Sequence, residues 1–129
     1  MTTVNANMIA AKDDLLELIL KLGSSKTPEQ TEQWLALNLG TDLFGAWVTY
    51  DEDEIVGLIV AEVTPDNSVY IAMDWVKNGL SNEELLLEAE EWAKELGLNR
   101  MIKYTNKSPA TYIKKYGWSV WQTVLVKEL

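Results

Sequence analysis

The chain contains neither histidine nor cysteine. That removes Ser–His and thiol nucleophiles, disulfides, and imidazole- or thiolate-ligated metals. Acid–base chemistry must then come from carboxylates, lysine, tyrosine, the N-terminus or water. Two carboxylates stand inside otherwise apolar runs, Glu62 within 55–63 and Asp74 within 68–76. Either is a candidate general base towards an ammonium, provided that it faces the acceptor. A solvated or hydrogen-bonded carboxylate at a strand end is the simpler reading of Asp74. The third feature is Lys77-Asn78-Gly79-Leu80-Ser81-Asn82, a glycine-bearing loop between a strand and a helix. Backbone amides and the helix dipole make such a junction a site for anions. Ser81 with Glu84 also reads as a capping box. Glu83 and Glu84 suit a first helical turn, at about 0.3–1 kcal/mol each, but oppose a phosphate there, so the loop favours the cap over the cradle. The acidic run Asp51-Glu52-Asp53-Glu54 lacks the glycine and ligand spacing of a calcium loop. It reads as a solvated turn, and no metal is expected.

These residues need elements to position them. Met8, Ile9, Leu15, Leu16, Ile19 and Leu22 recur at helical spacing, so a helix starting between Asn7 and Asp13 should end at Leu22, before Gly23. Thr27-Pro28-Glu29-Gln30 is a capping box with proline in the first turn, opening a helix to about Leu39. Strands are predicted over 44–50, 55–63 and 68–76. Alternation would put Tyr70, Ala72, Asp74 and Val76 on one face of the third strand. A long helix over 82–96 should bury Leu85, Leu86, Ala89, Trp92, Ala93 and Leu96, with Gly97 as its stop and Leu98 as the clasp. A strand over 100–105, a short helix opened by Ser108-Pro109 and a final strand over 118–127 complete the order α-α-β-β-β-α-β-α-β. Residues 2–6 give only a poor strand signal. The crossover from 68 to 105 makes its two strands parallel, so the fold class is α/β, a mixed sheet with helices on both faces.

At 129 residues one domain is expected, spanning 1–129. No apolar run reaches the about 18 residues of a membrane span, and the first residues lack the pattern of a signal peptide. A cytoplasmic location, or the interior of a host cell, is therefore the expectation. The net charge of −9 argues against nucleic acid and anionic membranes as partners. Residues 1–98 hold 19 acids and 5 bases, whereas 99–129 hold 6 bases and one acid, which reads first as local solvation and second as a site for phosphate or an acidic partner. Of the six tryptophans, Trp47 and Trp121 could form an exposed patch for a homodimer or protein partner.

The stretch Asn106-Lys107-Ser108-Pro109-Ala110-Thr111-Tyr112-Ile113-Lys114-Lys115-Tyr116-Gly117-Trp118 is similar to the tail of the GNAT acyltransferases, where Asn precedes a short helix reading A-x-x-L-Y-x-K-x-G-F. The element order resembles that family over most of the chain, with its first strand weak or absent. The resemblance implies an acetyl-CoA-dependent N-acetyltransferase acting on an amine. It places the pantetheine between the third meander strand and the next parallel strand, and the pyrophosphate on a loop reading R/Q-x-x-G-x-G/A. The cofactor would then lie on Trp75, Val76, Lys77, Asn78, Gly79, Leu80, Ser81, Asn82 and Asn106. Two departures stand out. The loop keeps one glycine and one base, and the family's proton-donating tyrosine, aligned on Gly117, falls on Ile113. Tyr112 and Tyr116 point about 100° from that position on a helix, so neither is expected to replace it, and packing is their ordinary role. The chain is also similar, in size, in its short N-terminus and in its ending Val124–Leu129, to small GNAT-like proteins of tailed phages, some of which take part in virion assembly. A non-catalytic binding or assembly module is therefore the alternative.

Overall fold

The computed structural model describes residues 1–6, 12–23, 26–104, 110–120 and 125–129. Its elements are β1 (Thr2–Asn5), α1 (Lys12–Leu22), α2 (Pro28–Asn38), β2 (Phe44–Asp51), β3 (Glu54–Val63), β4 (Val69–Val76), α3 (Glu83–Glu95), β5 (Met101–Ile102) and α4 (Ala110–Tyr116). The five strands lie side by side in chain order. The first three junctions are antiparallel and the β4–β5 junction is parallel. No helix among the described residues is long and apolar enough to cross a membrane.

Local chemistry sets the helix ends. The Thr27 hydroxyl accepts from the Gln30 amide at 3.2 Å, and the Gln30 side chain accepts from the Thr27 amide at 3.0 Å, which closes the expected capping box of α2. At the end of α3, the Gly97 amide donates to Lys94 and the Leu98 amide to Ala93, a Schellman stop made possible by the Gly97 φ of 79°. Leu98 packs into the core there, whereas Leu96 is left exposed.

The sheet divides two apolar layers. On one face α1 and α2 bury Leu15, Ile19 and Leu35 against Phe44, Val48, Leu58 and Val60. On the other, α3 buries Leu85, Leu86, Ala89 and Ala93 against Trp47, Ile59, Ala61, Val69 and Ile71. Tyr112 of α4 and the following Trp118 pack on this second face. Trp47 is not part of an exposed patch: it is 3% exposed and meets Trp92 edge-on at 5.5 Å. Its ring lies over Gly45, where a Cβ would stand 2.4 Å from Trp47 Cη2. Since Trp47 is buried and also packed edge-on against Trp92, Gly45→Ala should destabilise by about 1–3 kcal/mol, read as a lower urea midpoint at unchanged slope.

Four local expectations need correction. A strand does precede the helices: β1 pairs with β2 from Thr2↔Tyr50 to Asn5↔Trp47, and Thr3 and Thr49 share a hydroxyl bond of 2.8 Å. Four residues are too few for periodicity to declare a strand, and the partner strand supplies what the pattern lacks. β5 is two residues long rather than six, because its pairing ends early. For the predicted final strand, 118–120 and 125–127 carry no strand and 121–124, with Trp121, lie outside the described residues. Finally, the alternation of β4 breaks. Ile71 pairs with Ala61 and Met73 with Val60, so Ala72 is an extra residue, a β-bulge. Before it, Tyr70 faces α2; after it, Asp74 pairs with Ile59 and faces α3. Tyr70 and Asp74 therefore stand on opposite faces.

Candidate functional site

The parallel junction closes at one end only. Val69 pairs with Met101 and Tyr70 with Ile102, and among the described residues no strand pairs with β4 beyond Tyr70 on that side. The closed end is pinned by the Val69 amide on the Arg100 carbonyl at 2.9 Å. The Arg100 guanidinium also holds Ser68 Oγ at 2.8 Å and Asp66 at 3.0 Å. The Thr64 hydroxyl first, then Ser68 and Arg100, keep the Asp66 carboxyl below its usual range despite some desolvation. Among the described residues, six residues of β4 thus run on past the last pair with no strand beside them; this open edge, the β4–β5 gap, is where a chain-like ligand could take up strand hydrogen bonds.

Asp74 lies in this gap, on its α3 side, 6% exposed. Lys103, just beyond β5 and 17% exposed, donates to Asp74 Oδ2 at 2.5 Å. The Tyr112 hydroxyl from α4 donates to the same oxygen at 3.0 Å and accepts from Lys103 Nζ at 2.7 Å. The Asn82 amide at the start of α3 reaches both carboxylate oxygens, at 3.0 and 3.1 Å. One carboxylate therefore joins β4, α3, α4 and the segment after β5. Burial works against the Lys103 ammonium, but the hydrogen bonds and charge of Asp74 and Tyr112 outweigh it and hold its pKa above the usual lysine value. Lys103 stays charged across neutral pH, so it is a donor here and not a nucleophile.

The 77–82 loop lies at the open end. The Lys77 amide donates to Val56 and the Leu80 amide to the Lys77 carbonyl, closing a turn that needs the Gly79 φ of 86°. The Asn78, Gly79 and Ser81 amides have no protein acceptor among the described residues. The cap differs from expectation. Asn82 is the N-cap, Ser81 Oγ accepts from the Glu83 amide at 3.2 Å, and Glu84 completes no box. The reason is Asp74, which draws the Asn82 side chain away from the helix. Lys77, the loop's single base, is bridged to Glu54 at 3.1 Å with both ends exposed. A cleft of about 370 Å³ adjoins the same helix start but opens towards β2 and β3, lined by Thr49, Val56, Val76, Leu80, Glu83 and Glu84. Asp74, Lys103 and Tyr112 do not line it, and its acidic rim does not suit a phosphate.

The remaining predicted positions sort as follows. Trp75 packs into the α1–α2 layer and Val76 into the α3 layer. Glu62 is on the α2 face and accepts from Trp34 Nε1 at 2.6 Å, so it is not brought together with Asp74. Asn106 lies outside the described residues. Ile113 is 43% exposed, whereas Tyr112, one residue earlier, turns its hydroxyl into the gap. Lys103 and this role of Tyr112 were not foreseen. The signal available was a tyrosine immediately before the aligned isoleucine.

The acetyltransferase (GNAT) family model matches residues 13–118. No curated protein matches the sequence. Among solved structures, the chain is similar to an aminoglycoside 6'-N-acetyltransferase from Acinetobacter haemolyticus, at 15% identity over 100% of this chain and 98% of that one, with a TM-score of 0.78. A second aminoglycoside acetyltransferase, AAC(6')-Iy, solved with a CoA bisubstrate analogue, superposes with a TM-score of 0.81 at 11% identity, covering 99% and 97% of the two chains. A predicted acetyltransferase from Clostridium acetobutylicum with acetyl-CoA gives 0.72 at 18% identity, covering 98% and 95%.

Proposed function

The chain belongs to the acetyltransferase (GNAT) family, and on that premise we propose that it is an N-acyltransferase that takes an acyl-CoA in the β4–β5 gap and passes the acyl group to an amine. The observation that carries this reading is the end of strand pairing at Tyr70↔Ile102, with Asp74, Lys103 and Tyr112 gathered beside the unpaired length of β4. The unpaired strand edge suits the amide-bearing pantetheine arm, and the Asn78, Gly79 and Ser81 amides suit a pyrophosphate oxygen. The charge balance at the loop suits it poorly, since Lys77 is paired and Glu83 and Glu84 follow. Weak binding is the consequence.

The chain's own residues divide the work. Asp74 fixes Lys103 and Tyr112 and is too fully engaged to act as a free base. Tyr112 holds a donatable proton next to an ammonium that is charged at neutral pH, an arrangement suited to receive a departing thiolate. Lys103 stabilises the negative charge that forms there. Glu62, across the sheet, remains the candidate base.

A second reading is favoured by one observation. The Asp74–Lys103 bridge spans the gap that the ligand would enter, so a GNAT fold retained as a binding or assembly module would show this same closed clasp. Calorimetric titration with acetyl-CoA separates the two. Acyl transfer predicts a dissociation constant on the order of 100 µM, inside the usual 1 µM–1 mM range of substrate affinities. No heat at millimolar ligand, together with no acetylated product from a panel of amines, leaves the module.

A further inference from the structure

At the closed end of the β4–β5 junction, the α2 side of the sheet is of a different chemical kind. Phe44, Glu62 and Tyr70 are cross-strand neighbours and share the face covered by α1 and α2. Trp34 from α2 donates its indole N–H to Glu62 Oε1 at 2.6 Å and meets Phe44 edge-on at 5.4 Å. Tyr70 stands at the last paired position of β4, and the ring of Tyr104, 60% exposed, lies 5.6 Å from it. Burial first, then the charge of Glu62, push the Tyr70 phenol up, as a nearby carboxylate requires. Among the described residues no cation forms an ion pair with Glu62. Lys103 turns to Asp74 on the α3 side, and its neighbour Tyr104 turns to Tyr70 on the α2 side. The junction thus has an ammonium and a hydroxyl on its α3 side, and on its α2 side, at the closed end, two tyrosine rings beside a carboxylate carried by β3.

A carboxylate among ring faces selects for an alkylammonium. The carboxylate supplies the counter-charge, and the rings supply cation–π attraction with a surface for the alkyl stem. One such contact is already made within the chain, the Lys26 ammonium lying 5.1 Å from the Trp34 ring centroid. A bulky polar ligand gains less from this site, because its groups would meet rings where they need hydrogen bonds.

We infer that Glu62, Trp34, Tyr70 and Tyr104 form a binding site for a primary alkylammonium, the amine that would accept the acyl group. The word "accept" rests on the acyl-transfer reading; the binding needs no second substrate. A lysine side chain and a free polyamine present the same group, and one experiment tells them apart. The full-length protein, without acetyl-CoA, is titrated with Nα-acetyl-lysine methylamide and separately with spermidine, following the Trp34 indole N–H by NMR. A saturable shift is expected, with the lysine analogue assigning a polypeptide lysine and spermidine alone assigning a free polyamine. Nα-acetyl-norleucine methylamide, which lacks the ammonium, should give no saturable shift. Glu62→Gln keeps the shape and should weaken binding about tenfold, the usual scale for removing one charged partner. Tyr104→Ala, at an exposed ring, should weaken it about threefold and guards against a folding defect in the first variant. No saturable shift with either amine, or equal affinity in Glu62→Gln, overturns the site. Because no acyl-CoA is present, a failed acetyl-CoA titration leaves this result standing.

Discussion

Asp74→Ala should cost the protein about 3–5 kcal/mol, the usual penalty for removing one partner of a buried ion pair. At this chain length that corresponds to a fall of about 10 °C or more in melting temperature. The size follows from what is left behind. Lys103, 17% exposed, would keep its charge with only the Tyr112 oxygen to hold it, and the Asn82 amide would lose both of its carboxylate acceptors. Asp74→Asn keeps the volume and one carbonyl acceptor and should lose less. The pH dependence has a definite sign. Lys103 has a raised pKa in the fold, so the stability it contributes is complete below the ordinary lysine value of 10.5 and is lost as pH rises through the folded value. The gap between wild type and Asp74→Ala should therefore be full at pH 7 and narrow above about pH 10.5. Urea melts at both pH values measure it. A loss below about 1 kcal/mol at pH 7 would mean that the four-element clasp is peripheral to the fold.

How much of this was legible in the sequence depends on the range of the interaction. The Thr27–Gln30 box and the Gly97–Leu98 stop are local chemistry within six residues, and both appear where the residues place them. The order of the long elements and the parallel crossover were legible for the same reason, since each rests on its own periodicity. The candidate site was not. The bulge at Ala72 is a property of pairing between β3 and β4, and Ile71-Ala72-Met73 carries no mark of it. One extra residue moved Asp74 to the face opposite Tyr70. There it meets Lys103 and Tyr112, 29 and 38 residues further along the chain. At the 77–82 loop the local residues read as a Ser81–Glu84 capping box. The cap fell instead on Asn82 without a box, because a carboxylate distant in sequence competes for its side chain. Local rules name the parts; which face each part serves is decided by strand register.

Tyr112→Phe should lower kcat by about 100-fold or more, the scale of a lost general acid, with little change in the KM for acetyl-CoA. The phenylalanine keeps the ring, so it keeps the edge-on contact with Trp118 at 5.7 Å and the Lys103 ammonium 4.6 Å from the centroid. The expected stability loss is therefore only about 1 kcal/mol, that of a hydrogen bond. What disappears is the donatable proton held between Lys103 and Asp74. Ile113→Ala is the matching control. Its side chain is 43% exposed, and the variant should change kcat less than about twofold if the hydroxyl one residue earlier carries the proton. The split between kcat and KM separates this role from the alternative in which Tyr112 only helps to tie the gap shut. A clasp residue, once removed, would loosen Asp74 and Lys103 and open the β4–β5 gap. Acetyl-CoA would then bind more tightly, and turnover would hold or rise. Tighter binding with undiminished turnover in Tyr112→Phe would therefore assign the hydroxyl to closure and return the search for the proton donor to water.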